Sequence, residues 1–152
     1  MNYHLKGSLP VDIRTLDEND IGRCGEIYVS AFSAPPYKDS WTQDAAEVML
    51  DGLFQRDPDN CWCAEIDEVI VGFIFCTVFG SFRATIQEIA IEPDYQRMGY
   101  GSALMEHALE RFKEKGITAV DLVANRNAPA YRMYRKMSFA EPHEYRIMIR
   151  II

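Results

Sequence analysis

The chain lacks most of what would place it in a specialised class. No apolar run approaches the length needed to cross a bilayer. The opening residues, MNYHLKGSLP, contain no hydrophobic signal core. A cytoplasmic location with no membrane partner is the expectation. Histidine is scarce, at positions 4, 107 and 143, and Cys24, Cys61, Cys63 and Cys76 fall at no metal-ligand spacing, so no metal is expected. Cys61 and Cys63 would point the same way from one strand, which suits a buried face better than a disulfide. Basic residues are in deficit: 16 Lys and Arg against 23 Asp and Glu give a formal net charge of −7. Nucleic-acid binders carry basic patches, so no such partner is expected, and the acidic balance favours a cationic substrate. No repeat, linker or low-complexity tract interrupts the 152 residues, which read as a single domain, 1–152, large enough for a real core.

What is present centres on the stretch from Ile86 to Phe112. Ile86, Ile89, Ala90 and Ile91 form an apolar, largely β-branched run suited to a buried strand, ended by Pro93 and Asp94. Gln96-Arg97-Met98-Gly99-Tyr100-Gly101 follows. Leu104, Met105, Ala108, Leu109 and Phe112 then recur at helical spacing, with His107 among the polar residues between them, and Gly116 stops the helix. The first N–H groups of a helix have no intrahelical partner and carry partial positive charge. Glycines at 99 and 101 let a ligand approach the main chain, and Arg97 adds a formal charge. This arrangement suits a phosphate. A dinucleotide fingerprint would need a small residue at Leu104 and glycines directly after the strand, and Asp121 would sit at the wrong end of its strand. No Gly-Lys-Ser/Thr occurs, which excludes a Walker loop.

Around this unit the chain predicts β-α-α-β-β-β-α-β-α-β. Val11–Leu16 reads as a strand, and Asp17 to Asp20 cap a helix striped by Ile21, Cys24, Ile27, Tyr28 and Ala31. The loop from Phe32 to Trp41, with two prolines and three aromatics, is ordered and extended. It either walls an acceptor pocket or packs Phe32, Tyr37 and Trp41 on the core. Thr42 caps a second helix, with Ala46, Met49, Leu50, Leu53 and Phe54 as its buried face. Cys61–Ile66 and Val69–Phe79 form a hairpin turning at Asp67-Glu68, with Gly72 marking a bulge or close contact. Short connections make strands two, three and four antiparallel. Ala119–Val123 should pair parallel to the Ile86 strand through a right-handed crossover. Asn127 is expected to cap a last helix carrying Ala130, Tyr131, Tyr134 and Met137. Glu144–Ile152 alternates as a final strand.

Gln96-Arg97-Met98-Gly99-Tyr100-Gly101 resembles the Gln/Arg-x-x-Gly-x-Gly/Ala signature of the GCN5-related N-acetyltransferases, the GNAT superfamily. The resemblance extends to Pro93, Ser102-Ala103-Leu104, Asn127, Ala130, Tyr134 and Phe139, and upstream to Val71-Gly72. It covers roughly the last hundred residues. It implies an α/β (α+β) fold with a mixed, mostly antiparallel sheet flanked by helices and a central parallel βαβ unit that holds coenzyme A. The implied activity is direct transfer of an acetyl group from acetyl-CoA to a primary amine, without a cysteine nucleophile such as Cys76.

The same resemblance assigns residues. The turn Gln96, Arg97, Met98, Gly99, Tyr100, Gly101 and Ser102 would hold the pyrophosphate. Main chain around Ile89, Ala90 and Ile91 would bond the pantetheine where two strands splay, and Asn127 would contact the pantetheine or the diphosphate. Glu88 is the candidate base, acting directly or through water. It shares a strand face with Ala90, opposite Gln87 and Ile89, and faces the cleft if Ile86 lies on its side. Tyr134 is the candidate acid, with Tyr131 able to take either its catalytic or its packing part. Tyr37, Asp39 and Trp41 are the candidate substrate contacts. Ser138 departs from the family, where glycine usually precedes the phenylalanine matching Phe139, and this leaves the helix cap less ideal. The expected acceptor is the primary amine of a small cationic molecule. The alternatives are a protein N-terminus or lysine, or a non-catalytic acyl-CoA-binding sensor. A homodimer built on the final strand is compatible with each.

Overall fold

The computed structural model describes residues 1–3, 9–144 and 146–152. Among them six strands form one sheet in chain order: β1 (Asn2–Tyr3), β2 (Val11–Thr15), β3 (Cys61–Ile66), β4 (Val69–Phe79), β5 (Arg83–Ile91) and β6 (Ala119–Leu122). Neighbours are antiparallel except β5 and β6, which are parallel and joined through a helix. The helices are α1 (Ile21–Phe32), α2 (Gln43–Phe54), α3 (Tyr100–Glu114) and α4 (Pro129–Lys136).

Strand alternation divides the core into two layers. Val11, Ile13, Trp62, Ala64, Ile74, Cys76, Ala84 and Ile86 meet Tyr100, Leu104, Met105, Ala108 and Phe112 of α3 on one face. Cys61, Cys63, Phe73, Phe75 and Ala90 meet Ile21, Cys24, Ile27 and Tyr28 of α1 and Ala46, Leu50 and Phe54 of α2 on the other. The four cysteines are buried free thiols, and burial pushes the Cys61 and Cys63 thiols up to about 12.

Local signals account for most of the ends. Thr42 accepts from the Ala45 N–H at the start of α2, and Asp17 and Asp20 form a reciprocal cap on the short 3-10 turn before α1. Asp67 and Glu68 turn the β3–β4 hairpin with φ of 49° and 65°, the left-handed pair that matches strand twist. Gly72 is a close approach: a Cβ there would lie 2.3 Å from Ile91 Cδ1 and 3.0 Å from the Ala90 carbonyl oxygen. Gly116, with φ of 78°, ends α3 and lets the Ile117 N–H reach the Phe112 carbonyl at 2.9 Å. Ser138 does the same for α4 without being glycine. Its φ is 68°, and the Phe139 N–H donates to the Tyr134 carbonyl at 3.0 Å. A left-handed L-residue costs ~1–2 kcal/mol, partly offset by glycine's greater freedom in the unfolded chain. Ser138→Gly is therefore expected to stabilise the domain by about 0.5–1 kcal/mol, or ~2–4 °C in a thermal melt. A lower melting temperature would refute this.

Five expectations are corrected. β1 pairs with the edge of β2, although two residues carry too little pattern to be read. His107 belongs to the buried side of α3, its ring centroid 5.3 Å from that of Trp62. Burial, then the Arg111 charge, lowers its pKa. The cap of α4 is Ala128 rather than Asn127, because the Asn127 N–H is drawn into a turn by Asn125 Oδ1 at 2.9 Å. The expected final strand over Glu144–Ile152 does not form among the described residues; Tyr145 lies outside them. β6 offers only four residues of edge, and the Arg146 guanidinium turns back onto the His143 carbonyl at 2.8 Å. Ile147, Met148, Ile149 and Ile151 are left exposed.

The fifth correction sets the site. Phe75 lies opposite Glu88 but Cys76 lies opposite Ile86, so Gln87 is an extra residue, a bulge that reverses the alternation of β5. Ala84 and Ile86 therefore pack on the α3 face while Ala90, and Glu88 with it, turn to the α1 face. Gln87 shares that side, its Nε2 donating to Thr77 Oγ1 at 3.4 Å.

Candidate active site

β6 pairs with β5 only from Arg83 to Ile86, whereas β5 continues to Ile91. The two strands part there. A cavity of about 610 Å³ opens in the gap, within the range of small-ligand sites. Its floor is Ile86–Ile91 of β5, and one wall is Leu122–Asn125, the last residue of β6 and the three that follow it. Gln96, Arg97, Gly99, Gly101 and Ser102 close one side, Met133 and Tyr134 of α4 line another, and Phe32, Pro35 and Tyr37 form the rim.

The turn before α3 is a concave main-chain surface. Arg97 and Gly99 both have left-handed backbone, at φ of 63° and 91°, and Gly99 caps the helix without a side-chain bond. The first helical bond runs from the Ala103 N–H to the Gly99 carbonyl at 3.0 Å, which leaves the N–H groups of residues 100 to 102 for a ligand. Gln96 is spent internally, its Nε2 donating to the Ile91 carbonyl at 2.9 Å. Arg97 is exposed and has no ion-pair partner among the described residues. These features fit an anionic diphosphate. A Cβ at Gly101 would meet Met133 and Ile91 no closer than 3.6 Å, so alanine fits there, as the Gly/Ala of the signature implies. Gly99 is different, because a β-branched residue resists its φ. The strain of ~1–2 kcal/mol is small beside a usual domain stability of about 5–15 kcal/mol. Gly99→Val is thus expected to fold and to bind coenzyme A at least about tenfold more weakly, which titration calorimetry would measure. Unchanged affinity in the folded variant would contradict it.

Arg23 ties this end of the site to α1. Its guanidinium reaches the Ile70 carbonyl at 3.1 Å, Glu26 at 2.9 Å and Glu92 at 2.8 Å. Glu92, the residue after β5, also donates its N–H to the Val71 carbonyl at 2.8 Å. The end of β5 is thereby fixed relative to the helix that carries Phe32.

Glu88 lies at the other end, its carboxylate making no ion pair or hydrogen bond among the described residues. Burial pushes its carboxyl up to about 7. Its charge in turn raises the pKa of Tyr28, Tyr37 and Tyr134, after burial as the larger cause in each. Tyr134 is 8% exposed, and its ring stacks edge-on against Phe139 at 6.1 Å. Tyr131 lines the same cavity, but its hydroxyl is engaged, donating to Glu141, which also pairs with Arg126. Of the two tyrosines, Tyr134 is the one beside Glu88.

The structure brings together Glu88, Tyr134, Ile89, Ala90, Ile91, Gln96, Arg97, Gly99, Gly101, Ser102 and Tyr37 around one cavity. It does not bring Met98, Tyr100, Asn127, Asp39 or Trp41 to its surface. The Tyr100 side chain is core, 1% exposed, with its hydroxyl on the Leu9 carbonyl at 3.2 Å. Trp41 packs edge-on to Tyr28 at 5.3 Å and so supports the rim from behind. Asp39 is exposed, its N–H on the Phe32 carbonyl at 2.9 Å, near enough to raise Tyr37. The Leu122–Asn125 wall was not legible as site, because only the parting of β5 and β6 exposes it. Among the described residues no cluster of three or more His, Cys, Asp or Glu is placed to hold a metal, and no helix is long and apolar enough to cross a membrane.

A main-chain anion turn, a split parallel strand pair and a carboxyl–phenol pair in one cleft define an acyltransferase of the coenzyme-A-using kind. The sequence profile described as the Acetyltransferase (GNAT) family matches residues 24–139, and the chain belongs to that family. An uncharacterised N-acetyltransferase of Methanocaldococcus jannaschii is 28% identical over 151 residues, which span 92% of this chain and 65% of that protein. Streptothricin acetyltransferase of Streptomyces lavendulae is 42% identical over 130 residues, 83% of this chain and 69% of that one. The fold is shared with the PaiA N-acetyltransferase of Thermoplasma acidophilum solved with coenzyme A. The TM-score is 0.71 and the identity 22%, over 84% of this chain and 87% of that one. The chain is an acetyltransferase.

Proposed function

We propose that this acetyltransferase moves an acetyl group from acetyl-CoA directly to the primary amine of a small molecule, itself a cation at neutral pH. The observation that carries the reading is Glu88, a half-buried carboxyl of raised pKa on the cavity floor, with Tyr134 of α4 lining the same cavity. The turn from Gln96 to Ser102 would hold the coenzyme's phosphates through the free N–H groups of α3 and Arg97. The open edge of β5 at Ile89, Ala90 and Ile91 would pair with its pantetheine as a missing strand does. Acetyl-CoA supplies the thioester carbon that the amine attacks.

The protein's residues handle two protons. An alkylammonium titrates near ~10, so at neutral pH it needs a base. Glu88 takes that proton, directly or through one water, and a carboxyl poised near pH 7 is suited to do so. A β5 main-chain N–H in the gap polarises the thioester carbonyl. Tyr134 donates its Oη proton to the departing sulfur and is restored by the second proton, which the nitrogen loses as the amide forms; the first proton stays on Glu88 until it passes to solvent, so no net charge is left in the cleft. Asp39 contributes attraction at the rim without touching the acceptor. The identity with streptothricin acetyltransferase supports a small acceptor. The Glu88–Tyr134 pair speaks against a sensor that only binds acyl-CoA.

The test follows thiol release from acetyl-CoA across small primary amines and a set of peptides with free α- or lysine amines. Turnover of small amines at rates well above the peptides is expected. Turnover of peptides alone would transfer the reading to a protein acceptor.

A further inference from the structure

Resting on that reading, we infer that the acceptor is a primary amine carried on an apolar, ring-sized body, with no carboxylate next to the nitrogen. The cavity is uneven in charge. Its lining holds one carboxylate, Glu88, and one cation, Arg97, and Arg97 belongs to the turn at the start of α3, beyond the end of β5. Around Glu88 the lining is Ala31, Phe32, Pro35, Tyr37 and Tyr134, which offers nothing cationic. An amino acid bound with its nitrogen at Glu88 would set a second carboxylate beside the first, unpaired and partly desolvated.

The rim favours a ring. Tyr28 and Phe32 lie 4.4 Å apart between centroids and Phe32 and Tyr37 4.6 Å apart, with Trp41 edge-on behind Tyr28 at 5.3 Å. Phe32 and Tyr37 line the cavity, with Tyr28 and Trp41 bracing them from behind as a preorganised apolar wall, and Arg23 fixes the helix that carries Phe32. Burying a phenyl-sized group against such a wall is worth about 10- to 100-fold in apparent affinity. A second ammonium in the same place would meet no carboxylate among the lining residues.

The experiment compares kcat/KM for phenethylamine, L-phenylalanine, 1,4-diaminobutane and ethylamine at pH 8 with saturating acetyl-CoA. Phenethylamine is expected to exceed phenylalanine by at least about 100-fold and the diamine by about 10-fold. Tyr37→Ala should raise the KM for phenethylamine about 10-fold more than it raises the KM for ethylamine. A diamine or an amino acid equal to or better than phenethylamine would overturn the inference and leave small-amine acetylation standing. So would a Tyr37→Ala enzyme that loses phenethylamine and ethylamine alike. Absence of turnover with all four amines, in a protein that acetylates peptides, would overturn the small-amine reading as well.

Discussion

Glu88→Gln is expected to lower kcat/KM by about 10²–10³ near neutral pH, with the loss shrinking as pH rises toward 10. The shape follows from two ionisations. In the wild type the ammonium gives its proton to a carboxylate whose pKa sits at about 7, so activity falls as pH drops through 7 and Glu88 protonates. In the variant the attacking species is the free amine already present in solution, a fraction that grows tenfold per pH unit up to ~10. The ratio of the two enzymes is therefore largest at and below pH 7 and narrows above it.

Stability should move the other way. A carboxyl whose pKa is raised on folding binds its proton more tightly in the folded chain. Its charged form then opposes folding as pH rises from the unfolded value through 7. Glutamine removes that cost, so the variant should melt higher than wild type at pH 8 and no differently at pH 4. A more stable, less active protein separates lost chemistry from lost structure. Wild-type activity at pH 7 in this variant would remove Glu88 from the mechanism.

Legibility in the sequence divides along a physical line. The anion turn could be read because it is built from main chain, and glycines at 99 and 101 before an amphipathic helix report main-chain geometry directly. Ser138, with its left-handed φ, stands out only against the glycine of the family the sequence resembles. What depended on counting by twos failed at the first extra residue. Gln87 bulges out, and with it Ile86 and Glu88 part to opposite faces. The only trace in the sequence is a polar pair, Gln87-Glu88, inside an apolar strand, which no regular alternation explains. The final strand failed for a different reason. Alternation says which side of a strand is apolar, but not whether an edge long enough to receive it exists. A loop rich in aromatics points to Trp41 and the acidic balance points to Asp39, whereas packing decides which residues of the loop face inward.

Tyr134→Phe removes one oxygen from a buried ring, and the ring's contact with Phe139 survives. Coenzyme affinity and melting temperature should therefore hardly change, since no hydrogen bond to the hydroxyl is lost among the described residues. The rate should fall at every pH. Burial, reinforced by Tyr37 and Glu88, raises the pKa of this phenol, so the proton is present throughout the working range and no pH restores the variant. That distinguishes it from Glu88→Gln, whose deficit alkali repairs. Magnitude distinguishes a proton donor from a bystander. Loss of a general acid costs on the order of 10²–10⁴-fold, whereas loss of one neutral hydrogen bond costs about tenfold. Thioesters with more acidic thiols provide an internal control. A better leaving group needs less protonation, so an acetyl thioester of a low-pKa thiophenol analogue should narrow the gap between Tyr134→Phe and wild type. A variant within about threefold of wild type at every pH, with both thioesters, would assign Tyr134 to packing and leave the sulfur to depart as thiolate.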